Sequence, residues 1–472
     1  MSSISALDSL LSSANPSSAI DLSSILEAAL GASSPGLDVT AAVNSAISAA
    51  EAPEQAWANQ QTVLQNQTSA LNQIQSDASN LDNDMQTLNS LTGPFSARTV
   101  SSSNSNVLTA SAASGAATGN HVVVVNSLAS VASWTSGTFA SSSTALPAGS
   151  FTITTGSGGT ATITTDGTET LSDVAQQINS DGLGLTASVL TDASGSRLAI
   201  VANSSGSASN FSISGSSGFG FTQAVTGGNA SLTVDGINIS SASNTVTGAL
   251  SGLTLNLLSA SPGTQVSLGV APNTSQATQA INQFVTDYNT AISDVNAQFT
   301  FNSSTNSEGP LAGDTTVLNL QNDLLGALDY TYSPSSGTTT VPNLSSLGIT
   351  VNNDGTLSVD SSALQSALSN NFGDVQSFFQ GSAFNGFANT LDQQLTTFIA
   401  PDNGAFTVDL QNISSENTTL QDDITNFQTN YIQPLQTQLQ ADYSQAEILL
   451  QQLPVEMKQI STELGQNNSS GS

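Results

Sequence analysis

The chain has 472 residues, of which 34 are acidic and only three are basic, so its formal net charge is −31. Nucleic acids and anionic membrane surfaces attract proteins through clustered Lys and Arg side chains. The scattered cations Arg98, Arg197 and Lys458 cannot form such a cluster, which excludes both kinds of partner. Cysteine is absent, which excludes disulfides, thiol nucleophiles and thiolate metal sites. No run of about 18 apolar residues occurs, so we expect no membrane insertion.

The N-terminal residues 1–35 form a Ser- and Ala-rich tract with only short apolar clusters such as Ile25 and Leu26. A cleaved secretory signal begins with basic residues that precede an apolar stretch. The first basic side chain here is Arg98. We therefore interpret 1–35 as a flexible export tract that carries no cleaved signal peptide.

An N-terminal helical leg is predicted over 36–110. Between Leu64 and Leu88 the apolar residues recur mostly at alternating steps of three and four, which is the heptad spacing of a coiled coil. Few opposite charges flank this stripe, so the helix must gain its stability by burying the stripe against a partner. Gly93 and Pro94 end the helix. We call this stripe the first seam; its members are Leu64, Leu71, Ile74, Ala78, Leu81, Met85 and Leu88.

The middle of the chain, 111–275, is predicted to form β-rich head domains, with an inner part at about 148–220. Short β-branched or alternating runs are separated there by Gly, Ser, Asn and Asp, which is typical of antiparallel strands. One short helix is expected around Leu171, Val174 and Ile178. The predicted strands are His121–Val125, Phe151–Thr154, Ala161–Thr164, Leu185–Leu190, Leu198–Val201, Leu232–Ile239 and Leu253–Leu257.

A return segment is predicted over 276–405. Helical spacing of apolar residues runs from Ala277 to Val295. A hairpin follows at Ile349–Val359, because Asp354 and Gly355 are residues that tolerate the positive φ of a tight turn.

A C-terminal helical leg is predicted over 406–472. Steps of four residues at Tyr431, Leu435 and Leu439 interrupt the heptad next to Pro434, where we expect a kink, and Pro454 predicts another. We call this stripe the second seam; its members are Leu420, Ile424, Phe427, Tyr431, Leu435, Leu439, Tyr443, Leu450 and Leu453.

The sequence therefore predicts an α+β protein. Its N- and C-terminal segments form a coiled-coil or helical stalk, and small antiparallel β head domains lie between them. Because the two seams lie at opposite ends of the chain, they can be buried only against each other or against copies in other subunits. We therefore predict that the seam residues are interface residues.

The ordered set of motifs resembles the flagellar hook-associated protein 2 family, the capping proteins of bacterial flagellar filaments. Each motif is weak alone, but the set covers nearly the whole chain in the order of the family. The segment Leu171–Leu198 is similar to the flagellin-type IN motif, and Phe284–Asn289 is similar to the return helix of the family. The remaining similar segments are Gly36–Val39, Ala49–Pro53, Asp235–Ile237, Asn244, Gly252–Leu255, Leu347–Ile349, Asp354–Leu357 and Asp360.

The resemblance implies a secreted structural protein at the distal tip of the flagellum, exported by the flagellar type III system and needed for flagellin to fold and polymerise. It implies a homo-oligomer, most commonly a pentamer, with flagellin, hook-associated junction proteins and an export chaperone as partners. Family members usually carry more Lys and Arg. Subunit contacts here must rest on apolar and amide groups, and −31 per chain would repel within a ring unless salt screens it.

Alternative functions are a hook–filament junction protein, a flagellin-like subunit or a tip adhesin. We expect no enzyme, because His121 is the only histidine and no suitably placed pair of carboxylates is evident in the strand regions. No catalytic residue, cofactor or metal ligand is therefore predicted. Asp82 and Asp84 do not continue into a calcium-binding loop, so we expect them to be solvated.

Overall fold

The computed structural model describes residues 39–215, 218–301, 303, 307–335, 337–382 and 385–467. The predicted export tract 1–35 lies outside these residues. The chain divides into two compact units. The first unit consists of the described parts of Met1–Asp77, Asp294–Gln321 and Thr396–Ser472, and the second consists of those of Ala78–Ser293 and Asn322–Leu395.

Helices occupy both ends of the described chain, and antiparallel strands lie between them, which confirms the predicted α+β class. The second helix ends close to Gly93, where a Cβ atom would stand 2.5 Å from the carbonyl oxygen of Thr87, so only glycine fits. A π-helical segment, Gln428–Ile432, joins the last two helices. The helices are α1 (Val39–Ala50), α2 (Ala52–Asn89), α3 (Leu171–Ser180), α4 (Thr274–Phe299), α5 (Thr315–Ala327), α6 (Ser361–Asn370), α7 (Phe372–Gln380), α8 (Phe387–Ile399), α9 (Ala405–Phe427) and α10 (Gln433–Asn467).

The β region begins at Arg98, inside the segment 36–110 that was predicted to be a helical leg. The boundary is set by long-range pairing, because the strand that starts at Arg98 pairs with the strand that ends at Pro272. The strands are β1 (Arg98–Ser102), β2 (Leu108–Ala112), β3 (Gly119–Ser127), β4 (Val131–Thr135), β5 (Gly149–Thr155), β6 (Thr160–Thr165), β7 (Leu185–Asp192), β8 (Gly195–Ser205), β9 (Phe211–Ser214), β10 (Thr222–Val225), β11 (Ala230–Val234), β12 (Ile237–Ser241), β13 (Thr245–Thr247), β14 (Leu253–Leu257), β15 (Val266–Pro272), β16 (Ile349–Val351) and β17 (Leu357–Val359).

One β body, which we call the outer body, joins a sheet of order β1-β15-β3-β11-β12 to a sheet of order β13-β14-β2. The single strand predicted at Leu232–Ile239 is a hairpin of β11 and β12. Its turn residues Asp235 and Gly236 have φ angles of 49° and 84°, the left-handed conformation that tight hairpins require. The core of this body consists of Val107, Leu108, Val123, Val125, Ala230, Leu232, Val234, Val246, Leu255, Leu257, Val266 and Leu268.

A second β body, the inserted body, lies in the chain between β3 and β11. Sheets of order β10-β4-β8-β7 and β6-β5-β9 share a core with α3. The inserted body runs from Val131 to Val225, whereas the inner part of the head was predicted at about 148–220. The difference arises because β4 and β10, which pair with each other, add residues at both ends of the predicted range. The helix α3 starts where expected, because Thr170 and Asp173 form a capping box.

Four asparagines each grip the backbone of a distant residue through both amide atoms, an arrangement that we call an amide clamp. The side-chain nitrogen donates to a backbone carbonyl, and the side-chain oxygen accepts from the N–H of the same residue. In a chain with few cations, these clamps take the cross-linking role that ion pairs have elsewhere. The clamps are Asn179 on Ala187 (2.9 and 2.7 Å), Asn210 on Gly227 (2.8 and 2.9 Å), Asn244 on Ala129 (3.0 and 2.7 Å) and Asn289 on Leu357 (2.9 and 2.6 Å).

Replacing Asn179 by alanine should destabilise the inserted body by about 1 kcal/mol, because both backbone groups of Ala187 lose a partner, but the exposed position of Asn179 lets water replace it. Hydrogen exchange should show lost protection of the Ala187 amide. Gln177→Ala, at an exposed position of the same helix, is the matched control and should leave that amide protected. Equal exchange in both variants would refute the role of the clamp.

Candidate functional site

The helices of the two chain ends pack together in the first unit and run in opposite directions. In α2, Glu54 accepts a hydrogen bond from Gln428, and Trp57 packs on Phe427. The helix α1 precedes α2 in the chain, but it packs on C-terminal residues that follow Phe427. The aromatic pair is edge-on, with ring centroids 5.4 Å apart. The buried members of the shared core are Val43, Ile47, Ile432 and Tyr443.

Amide side chains cross-link these helices where other proteins use ion pairs. Gln60 donates to a carboxylate oxygen of Glu416 at 3.0 Å, and Gln61 donates to the side-chain oxygen of Gln421 at 3.2 Å. Such bonds need no cation, so they suit a chain with three basic residues. Within one chain, apolar and amide contacts therefore hold these helices together, and the expectation that subunit contacts are of the same kind stays a prediction.

The first seam lies inside the chain. The side chains of Leu64, Leu71, Ile74, Ala78, Leu81, Met85 and Leu88 are all buried, and the most exposed, Leu64, has an exposed fraction of 5%. Buried side chains offer no surface to a second subunit. Of the two alternatives for this stripe, burial within the chain and contact with other subunits, the structure therefore supports burial within the chain.

The second seam follows the predicted register only up to the π-helical segment. Tyr431, a predicted member, is 48% exposed, whereas its neighbour Ile432 is 3% exposed and takes its place in the core. A π turn contains an extra residue, so it rotates the following residues and transfers the inward position by one. The interruption of the heptad before Pro434 was the sequence signal for this change; Ile432 itself was missed.

The other members of the second seam differ in burial. Leu420 and Tyr443 are buried, and Ile424, Phe427, Leu435 and Leu439 are half-buried. The side chains of Leu450 and Leu453 lie outside the described residues. The helix α10 continues through Pro454, where a second kink was predicted, and does not end there.

Beyond Tyr443, the last helix carries large apolar side chains that are open to solvent. Ile448, Leu449, Val455 and Ile460 are 56, 62, 66 and 55% exposed. Ile448 and Val455 are seven residues apart and so share one side of the helix. Leu449 and Ile460 share the adjacent side of the helix, and we call the four residues on these two neighbouring sides the α10 apolar face. Such a face is a candidate contact surface, because clustered exposed apolar groups mark interaction sites.

His121 is paired with an aspartate of the outer body. Its Nδ1 lies 2.7 Å from a carboxylate oxygen of Asp235, at the hairpin turn of the outer body. The N–H of Val122 and the His121 side chain both donate to Asp235, which lowers the pKa of its carboxyl. The described residues contain no group of three or more His, Cys, Asp or Glu side chains arranged to hold a metal ion. None of the described helices is long and apolar enough to cross a membrane.

Asp82 is not solvated, contrary to the expectation from the sequence, and Asp84 is half-buried. Asp82 is 6% exposed, and both residues turn toward other carboxyl groups within the second unit. The apolar stripe of α2 continues on both sides of them and places Asp82 in the core.

Comparison with known protein families identifies nearly the whole described chain. The family descriptions "Flagellar hook-associated protein 2 N-terminus" and "Flagellar hook-associated protein 2 C-terminus" match residues 35–132 and 227–454. The description "Flagellin hook IN motif" matches residues 150–204, within the inserted body.

Individual relatives agree with these matches. The B-type flagellar hook-associated protein 2 of Pseudomonas aeruginosa is 30% identical over 76% of this chain and 80% of its own. The flagellar hook-associated protein 2 of Escherichia coli strain K12 is 27% identical over 77% and 83%. A crystal structure of the D1-D2-D3 domains of the flagellar cap protein FliD from Escherichia coli is similar with a TM-score of 0.58, at 25% identity, over 73% of this chain and 99% of that one.

These similarities place the chain among the structural proteins of the bacterial flagellum. It belongs to the flagellar hook-associated protein 2 family. This is a family of structural cap proteins and not a family of enzymes.

Proposed function

We propose that this protein caps the distal tip of the flagellar filament, where flagellin subunits fold and join the filament. The observation that carries the proposal is the match to the hook-associated protein 2 family at both ends of the described chain, together with the likeness to a flagellar cap structure. The family assignment favours capping over a junction protein or a flagellin-like subunit.

The cap is an assembly, and we propose a ring of identical subunits, most simply a pentamer. Its further partners in the proposal are flagellin, the hook-associated junction proteins and an export chaperone. Export through the flagellar type III system belongs to the proposal, because the chain is a member of the flagellar hook-associated protein 2 family. In this proposal the first leg, the head, the return segment and the second leg are the predicted segments 36–110, 111–275, 276–405 and 406–472. The boundary between the first leg and the head moves to Arg98, where the first strand begins.

We further propose that the C-terminal leg contacts flagellin through residues that the fold leaves exposed. Tyr431 of the second seam and the α10 apolar face meet this condition. A surface otherwise rich in Ser, Thr, Asn and Gln makes these apolar groups the main source of contact energy on the leg.

The capping proposal is tested in a strain that lacks this gene, by measuring how flagellin divides between attached filaments and the culture medium. We expect flagellin in the medium and filaments that are absent or short, with growth restored by the purified protein. Purified Ile448→Ser/Val455→Ser should restore less growth than wild type, and Gln438→Ser, an exposed polar position on α10, should restore growth fully. Filaments of normal length in the deletion strain would refute capping, and full activity of the double variant would refute the contact surface alone.

A further inference from the structure

The packing of α2 against α8 and α4 brings aspartates face to face. Asp82 on α2 meets Asp392 on α8, and Asp84 on α2 meets Asp287 on α4. All four residues belong to the second unit. We call the two contacts the carboxyl pairs.

Of the four carboxyl groups, that of Asp82 is the most deeply buried, at 6% exposed, and those of Asp84, Asp287 and Asp392 are half-buried. Leu81 and Met85, next to the aspartates of α2, are fully buried, as are Leu391 beside Asp392 and Tyr288 beside Asp287. The Oδ1 of Asp82 and the Oδ2 of Asp84 are also buried, and no hydrogen-bond donor among the described residues reaches either atom. A buried oxygen without a donor is unfavourable, so this arrangement calls for a further ligand.

The neighbouring groups supply no positive charge. Asp82 faces Asp392 and accepts from the Gln86 amide at 2.8 Å, while Asp84 faces Asp287. Two ionised carboxylates accept hydrogen bonds but cannot donate one, so at close range they only repel. Asp287 in turn accepts from the Gln283 amide at 2.9 Å, which is neutral.

The cations of the described chain are engaged elsewhere or belong to other elements of the fold. Arg98 donates to the backbone carbonyls of Phe95, Ala97 and Ala116. Arg197 is on β8 in the inserted body, and Lys458 is in the first unit. One proton per pair therefore remains as the ligand that converts repulsion into a hydrogen bond between the two carboxyls.

We propose that the carboxyl pairs Asp82–Asp392 and Asp84–Asp287 are proton-binding sites that make the folded second unit more stable as the pH falls through neutrality. Each site binds one proton, shared by two carboxyls on different helices, and joins α2 to α8 or to α4. The proposal does not depend on capping, because it concerns the stability of the isolated protein.

The direction of the effect follows from the pKa values of these groups. Burial, with the facing Asp392, raises the pKa of Asp82 from 3.8 to about 7, and burial, with Asp287, raises that of Asp84 from 3.8 to about 7. A pKa that is higher in the folded than in the unfolded chain favours folding at low pH. The contribution is complete below pH 3.8 and is lost as the pH rises through 7.

The proposal is tested on the purified full-length protein by urea unfolding at several pH values between 5.5 and 8, with circular dichroism as the signal. The wild-type midpoint should rise as the pH falls. In Asp82→Asn/Asp84→Asn, each amide donates to the facing carboxylate without a proton, so the midpoint should be nearly independent of pH and higher than wild type at pH 8. Asp181→Asn, which removes an exposed carboxylate in the same unit, should keep the wild-type slope.

Proton release on unfolding at pH 6 provides a measurement that does not depend on the variant midpoints. The wild type should release about one proton per pair, and the double variant almost none. A wild-type midpoint that is flat or falls with acid would overturn the proposal. A slope that survives in the double variant would also overturn it.

Discussion

Replacing Phe387 by alanine should lower the free energy of unfolding of the second unit by about 3–5 kcal/mol, the usual result of emptying a large buried aromatic site. Phe387 is 1% exposed and lies at the centre of an aromatic cluster. Its ring centroid is 5.5 Å from that of Phe378, 5.6 Å from Phe284 and 6.0 Å from Phe379. Alanine would leave a cavity and remove several ring contacts at once.

The measurement is equilibrium unfolding in urea, monitored by circular dichroism. Phe301→Ala is the control, because Phe301 is 57% exposed and its truncation should change stability by less than about 0.5 kcal/mol. Phe387→Leu should lie between wild type and alanine, since it fills part of the cavity. A loss below about 1 kcal/mol for Phe387→Ala would contradict the cluster as the centre of this core.

Asn289→Ala should destabilise the second unit by about 2–4 kcal/mol, because the change leaves two backbone groups unsatisfied. The Asn289 amide donates to the carbonyl oxygen of Leu357 at 2.9 Å and accepts from its N–H at 2.6 Å. This clamp attaches the β16–β17 hairpin to α4, and neither backbone group of Leu357 has an equivalent partner once the amide is removed.

Urea unfolding again supplies the measurement, and hydrogen exchange at Leu357 localises the effect. Asn289→Asp keeps the acceptor but presents a negative oxygen to the carbonyl of Leu357, so it should remain destabilised. Asn282→Ala changes an exposed asparagine of the same helix and should be nearly neutral. If Asn289→Ala matched Asn282→Ala, the clamp would have no role in stability.

The fold gives a structural role to asparagines in several of the motifs that suggested the family. Asn179 in the IN motif, Asn244 and Asn289 are each the centre of an amide clamp. The sequence pattern identified these asparagines by their context. Their role could not be predicted, because each partner lies between eight and 115 residues away and is a backbone group without a sequence signature.

Local pattern and turn chemistry account for what was predicted well. The hairpin at Ile349–Val359, the strand at Leu253–Leu257 and the capped helix from Leu171 follow from alternation, positive-φ residues and a capping box. The β bodies begin more than ten residues earlier than predicted, because Arg98 and Val131 begin strands whose partners lie far away in the sequence.

The sequence by itself determined the α+β class, the helical chain ends, the family and the scarcity of cations that rules out ion pairs as the main cross-links. Periodicity and composition are local properties, so they can be read without knowing the partners of each residue. Only the tertiary structure decided that the first seam is internal, that Ile432 replaces Tyr431 in the core, and that Asp82 and Asp84 face other carboxyls. An apolar stripe predicts that one face of a helix is buried, but the packing of the whole chain determines which segment covers that face.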